Sequence, residues 1–226
     1  MNILFYRYGS ICEPDIIASF KHLGFNITED TREVYNKQLL PSDCIKGLNE
    51  LLKQDTYSFI FSINFFPSVS DVCNIWGIPY LCLIVDSPVL ELFSTSLANP
   101  CNKVFLFDRQ LYNDFHHINP DGIFHIPLAT NVRDNYATAA MASSADRARF
   151  SSDISFIGSL YSEKCLYNKI TLPEEMRGYV DGLIEAQLLV YGYNFIEECV
   201  TPELIDSFTK ARPELANFPS SMKVDT

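Results

Sequence analysis

Residues 57–88 read YSFIFSINFFPSVSDVCNIWGIPYLCLIVDSP. The run 57–65 is a short, nearly continuous apolar stretch between Asp55 and Pro67, the pattern of a strand buried on both faces. Residues 70–76 then give a helix closed by Gly77, and 79–85 give a second buried strand that ends at Asp86-Ser87-Pro88. Strand, helix and strand within so short a span predict a parallel pairing, because the crossover helix carries the chain back to the end of the sheet from which the first strand started.

The same unit recurs on both sides. Residues 2–7 (NILFYR) make an apolar first strand that stops at Tyr8-Gly9-Ser10. The segment after Glu13-Pro14 then spaces Ile16, Ile17, Phe20 and Leu23 helically up to Gly24. A short strand is expected over 25–28, followed by a polar stretch. A helix over 41–53 comes next, with Pro41 in its first turn and Ile45, Leu48, Leu51 and Leu52 on one face. Residues 103–107 and 122–126 add two more strands around an amphipathic helix over 108–117. Six strands alternating with helices predict a Rossmann-like, doubly wound parallel sheet with both faces covered. That domain occupies residues 1–131. Residues 132–152, small and polar, read as a linker with a short helix. Residues 153–226 open with a strand at 153–157 (DISFI) and continue as a mostly helical segment; one strand cannot make a sheet, so this part either adds to the first domain or is the start of an incomplete second domain.

The chain has 226 residues, 47% hydrophobic and only 20% charged, which is the profile of a chain that folds. Its formal charge of -11, with 17 scattered Lys and Arg, argues against nucleic acid or an anionic membrane as partner. The seven Cys form no C-x-x-C pair and most lie in apolar runs, the N-terminus lacks a secretory pattern, and the most apolar stretch, 78–93, is too short to span a bilayer. A reducing, cytoplasmic setting without a transmembrane segment is the expectation.

Ligands of open parallel sheets bind outside the carboxyl ends of the strands, which directs attention to residues 8–14, 64–68, 86–89, 108–109 and 127–131. The loop after the first strand holds one glycine, Gly9, so the dinucleotide fingerprint G-x-G-x-x-G is absent; Walker A, H-E-x-x-H and G-x-S-x-G patterns are absent too. Asp86 reads two ways: a carboxylate held at the end of a buried strand to act as a base or bind hydroxyls, or a turn former and helix cap. His22, His116, His117 and His125 have no metal-ligand spacing, so no metal and no cofactor is expected. The aromatic run Phe59, Phe61, Phe65, Phe66 reads as core rather than a base-stacking platform.

The series SINFFPSVSDVCNIWGIPYLCLIVDSP (62–88), KVFLFDRQLYNDF (103–115), HIPLATN (125–131) and DISFIGSLY (153–161) resembles the bacterial CgeB-like, spore-maturation type glycosyltransferases. These have two facing Rossmann-like domains, the GT-B fold, and the resemblance is to the N-terminal domain. It implies transfer of a sugar from a nucleotide-sugar donor to a glycan or other acceptor, with no bound metal. On that reading Asp86 is the expected catalytic base, and Gly9, Ser10, Asn64, Ser87 and Asn131 line the acceptor side. Gly158 and Ser159 belong to the donor side, in a strand-to-helix loop. The resemblance also implies that a C-terminal donor-binding domain is missing after Ser159, so that this chain is the front part of a longer enzyme and inactive alone. A noncatalytic glycan- or protein-binding module and an unrelated flavodoxin-like small-molecule binder are the alternatives.

Overall fold

The structure is a computed structural model that describes residues 1–37, 39–87, 89–158, 165–169 and 171–211. The chain divides into two compact units, Met1–Met141 and Ala142–Thr226. The first is a Rossmann-like α/β unit around one all-parallel sheet of six strands in the order β2-β1-β3-β4-β5-β6. The strands are β1 (Asn2–Tyr6), β2 (Asn26–Asp30), β3 (Ile60–Ile63), β4 (Tyr80–Ile84), β5 (Asn102–Leu106) and β6 (Ile123–His125). Register is set by apolar pairs such as Phe5 opposite Phe61 and Ile63 opposite Leu83.

Successive residues of a strand face opposite sides, so the sheet supports two cores. One gathers Leu4, Tyr6, Ile60, Tyr80, Cys82 and Val104 under helices α3 (Pro41–Gln54), α4 (Pro67–Trp76) and α5 (Arg109–Phe115). The other gathers Phe5, Phe61 and Ile63 under α1 (Glu13–His22), which supplies Ile17. Pro sits in the first turn of α1, α3 and α4, where its missing N–H has no partner to lose, and Gly77 ends α4 in the left-handed region at φ +66°. The buried face of α3 is Cys44, Gly47, Leu48 and Leu52, whereas Ile45, expected on that face, is 38% exposed. A four-residue helix, α2 (Arg32–Tyr35), and two 3₁₀ turns, Leu90–Phe93 and Thr95–Ala98, occupy stretches that patterning leaves unassigned.

Two expectations are corrected. The sheet is not covered equally on both faces: α1 packs over β1 and β3. Beyond it, Leu81, Leu83, Lys103 and Phe105 alternate as half-buried residues, with Phe124 39% exposed and stacked on Phe105. Strand β3 also ends at Ile63 rather than at residue 65, because Asn64 takes φ +57° and turns the chain out of the ladder.

Residues 132–152 hold two helices, α6 (Val132–Met141) and α7 (Ser144–Phe150), the latter begun by a capping box between Ser143 and Asp146. The second unit continues through α8 (Glu174–Leu188), α9 (Ile196–Cys199) and α10 (Pro202–Ala211). The strand expected at 153–157 does not form, and Ile154, Phe156 and Ile157 are 93, 77 and 96% exposed. A strand bonds to a neighbouring strand or not at all, and the described residues of this unit contain no other strand.

The turn after β3 is held from below by the buried Tyr80 hydroxyl. The Phe66 N–H donates to it at 3.0 Å, and it lies 2.6 Å from Ser62 Oγ. The Ser62 proton goes to the Asn64 carbonyl at 2.7 Å, which leaves Tyr80 as donor to Ser62. Tyr80→Phe therefore strands the half-buried Phe66 amide and deprives buried Ser62 of a donor, and it should cost about 1–3 kcal/mol in denaturant unfolding. A loss below about 0.5 kcal/mol would show that this triad does not fix the turn.

Candidate functional site in the crevice at the carboxyl ends of the strands

Strand order reverses between β1 and β3: the chain leaves β1 toward β2 on one side and leaves β3 toward β4 on the other. The loops diverge there and open a crevice. Its first wall is the β1–α1 loop, which is organised by Glu13. This carboxylate is fully buried and accepts from the backbone N–H of Tyr8 (2.9 Å) and Gly9 (2.8 Å) and from Arg7 Nε (2.8 Å). Arg7 also pairs with Glu29 at 2.6 Å, and its guanidinium is held more firmly protonated by Glu13. Gly9 lies at φ +93°, a conformation that L side chains rarely adopt. In dinucleotide binders, loop amides at this place receive a phosphate. Here the protein's own carboxylate fills them.

The second wall is Asn64. Its Oδ1 accepts from the Val85 N–H at 3.0 Å, which fixes the amide's orientation because a backbone N–H only donates. Its Nδ2 then donates to Asp86 Oδ2 at 2.6 Å and to the Tyr8 hydroxyl at 3.0 Å. One side chain thus ties together the ends of β1, β3 and β4. Burial pushes the Tyr8 hydroxyl pKa up, with the negative charges of Asp86 and Glu13 adding to it, so Tyr8 stays a neutral O–H group. Phe66 packs against the rings of Tyr6 and Tyr8, with centroids 5.0 and 5.6 Å away. Lys37 donates to the Tyr8 carbonyl, and Tyr6 donates to Glu33.

Of the residues singled out from the sequence, Asn64 and Asp86 meet directly, and Gly9 stands in the adjoining loop. Ser10 accepts from the Cys12 N–H at 3.3 Å, and Ser87 is exposed next to Asp86. The helix-cap reading of Asp86 gains nothing, since the following 3₁₀ turn begins after Val89 and Asp86 bonds to Asn64 instead. Asn131 stands apart from this cluster and donates to Asp15 at 2.9 Å, at the mouth of a groove of about 790 Å³ along α1. Gly158 belongs to the second unit, where no strand precedes it, and Ser159 lies outside the described residues. Sequence reasoning missed Tyr8, Glu13, Glu33 and Lys37. Glu13 left one signal, an acid in the first turn of a helix that follows a glycine loop. Among the described residues no group of three or more His, Cys, Asp or Glu is arranged to hold a metal.

Removing the buried carboxylate leaves Arg7 Nε and two loop amides without their acceptor, while Arg7 keeps Glu29. Glu13→Ala should lose about 3 kcal/mol in denaturant unfolding, and Glu13→Gln, which keeps the amide acceptor, roughly half of that. Inorganic phosphate should raise the Tm of Glu13→Ala and leave the parent unmoved; equal effects on both would show that the loop amides are not an anion site. Burial raises the Glu33 carboxyl pKa, and Asp30 and Glu91 add to this against the Tyr6 hydroxyl and Lys37. A raised carboxyl favours the folded state at low pH and loses that contribution as pH climbs through the folded value. The Tm advantage of Glu33→Gln over the parent should therefore be small near pH ~4 and grow toward pH ~7, and a constant difference would contradict it. In comparison with known proteins, no protein family, no curated protein and no solved structure matches this chain.

Proposed function

We propose that Met1–Met141 is the acceptor-binding half of a glycosyltransferase that moves a sugar from a nucleotide-sugar to a hydroxyl acceptor. The observation that carries the reading is the Tyr8–Asn64–Asp86 cluster at the switch point: a carboxylate and a phenol joined through one amide. Such a set suits a polyol, whose hydroxyls both donate to a carboxylate and accept from a phenol. Asp86 is exposed, so it is open to ligand, while Asn64 limits its rotation. A carboxylate so placed orients the acceptor hydroxyl and takes its proton as the acceptor oxygen bonds to the sugar carbon; the bond from that carbon to the nucleotide phosphate breaks, and its electron pair leaves with the nucleotide. The filled anion site at Glu13 supports placing the nucleotide elsewhere. It also weighs against the flavodoxin-like alternative, which needs a phosphate at that same loop.

The test is binding first and turnover second. Titration with neutral mono- and oligosaccharides should shift the NMR signals of the Asn64 side-chain amide and the Val85 amide, and nucleotides should leave the Tyr8 and Gly9 amides in place. In the protein that carries this chain, Asp86→Asn should keep the parent Tm and lower sugar transfer by at least about tenfold. Sugar-induced shifts with undiminished transfer would demote Asp86 from base to bystander, and silence toward all sugars would defeat the reading.

A further inference from the structure

The groove along α1 has no role in holding the crevice residues together, and its composition differs from theirs. It begins at the crevice, where Ile11, Val85 and Asn131 line it, and runs beside α1 to His22 and Leu23. Because α1 starts from the carboxyl-end loop of β1 and ends before β2 begins, the groove leads from the crevice back across the sheet. Ten helical residues give it a length of about 15 Å. Leu83 and Val85 form its floor. Both are half-buried and anchored to the inner core of Phe5, Ile17, Phe61 and Ile63. The far wall is residues 128–132, where Leu128 and Val132 are 49 and 53% exposed. That wall is tied to the helix by the bond from Asn131 to Asp15.

Three features narrow the occupant. A volume of about 790 Å³ falls in the range of small-molecule sites rather than of protein docking surfaces, which are flat and much larger. Among the described residues no Lys or Arg lines the groove and Asp15 does, so an acidic head at the mouth, such as a fatty acid's carboxylate, meets a like charge there. The mouth is continuous with the crevice, because Val85 contributes its side chain to the floor and its N–H to Asn64, and the next residue is Asp86. We propose that this groove binds the uncharged alkyl- or prenyl-type chain of an amphiphile whose polar head lies at the mouth beside Asp86. That the head is the glycosyl acceptor rests on the function proposed above; the affinity of the groove for the chain does not.

The full chain would be titrated by calorimetry with glucose and with octyl, decyl and dodecyl β-glucosides below their micelle concentrations, while the methyl signals of Leu83, Val85 and Leu128 are followed by NMR. One saturable site is expected, tightening at least about twofold per added methylene, below the roughly fourfold of complete burial. Ser19→Trp, on the exposed side of α1 that borders the groove, should weaken dodecyl glucoside at least about tenfold, a loss of about 1.4 kcal/mol. Leu128→Glu is a second, independent block of the opposite wall. Affinity that ignores chain length, unmoved methyls, dodecanoate binding as tightly as dodecyl glucoside, or two folded variants that bind like the parent would each overturn the proposal. So would a dimer that Ser19→Trp dissociates, since a second copy would then own the groove. Chain binding with no response at Asn64 supports the groove and removes the acceptor reading; a response at Asn64 with silent groove methyls does the reverse.

Discussion

The Glu13 carboxylate is fully buried, and its cost is met by three donors that come from the loop just before it and from Arg7. A buried charge without such partners would be expelled or neutralised, so the loop must keep the shape that supplies them. That requirement reaches outward: Gly9 must hold a left-handed backbone, Arg7 must point inward to bridge Glu13 and Glu29, and Tyr8 is thereby aimed across the crevice at Asn64. The first wall of the site is thus fixed by electrostatics rather than by apolar packing.

The second wall rests on a different device. Asn64 uses its side-chain oxygen and both its donors while its backbone sits at φ +57°, and the buried Tyr80–Ser62 pair closes the turn beneath it. Asparagine tolerates that region better than most residues, and its amide supplies what glycine cannot. The exposed acid next to a fixed amide and a protonated phenol is the feature on which the proposed hydroxyl-binding role rests. The same loop geometry in a nucleotide binder would present bare amides to phosphate, and Glu13 removes that option.

Much of the architecture was legible because it is local. Pro41 and Gly77 mark helix ends by their own backbone chemistry, and the apolar runs at 2–7, 57–65 and 79–85 announce buried strands. Phe65 continues the apolar run past the true end of β3 at Ile63, although Asn64 followed by two aromatics and Pro67 carries a turn signal. Asp86 was found from its position after a buried strand. Its partner was not, because residues 64 and 86 meet only through the register of β3 with β4. Glu13, Arg7 and Glu29 are joined across β1 and β2 in the same non-local way. At 153–157 the opposite failure occurred: the residues have strand propensity, and propensity cannot act without a neighbouring strand.

The strand order also bears on how the chain is born. Phe5 lies opposite Glu29 on one side and Phe61 on the other, so β1 is made first yet stays open along one edge until residues 60–63 have been synthesised. At ordinary translation speeds of about 5–20 residues per second, that edge waits a few seconds beyond the completion of β2. During this interval the nascent chain carries an unpaired row of backbone groups flanked by Ile3, Leu4 and Phe5, a template for pairing with any neighbouring chain. Chaperone demand on the ribosome should accordingly peak before β3 emerges, and changing codon usage between β2 and β3 is the lever that would lengthen or shorten it.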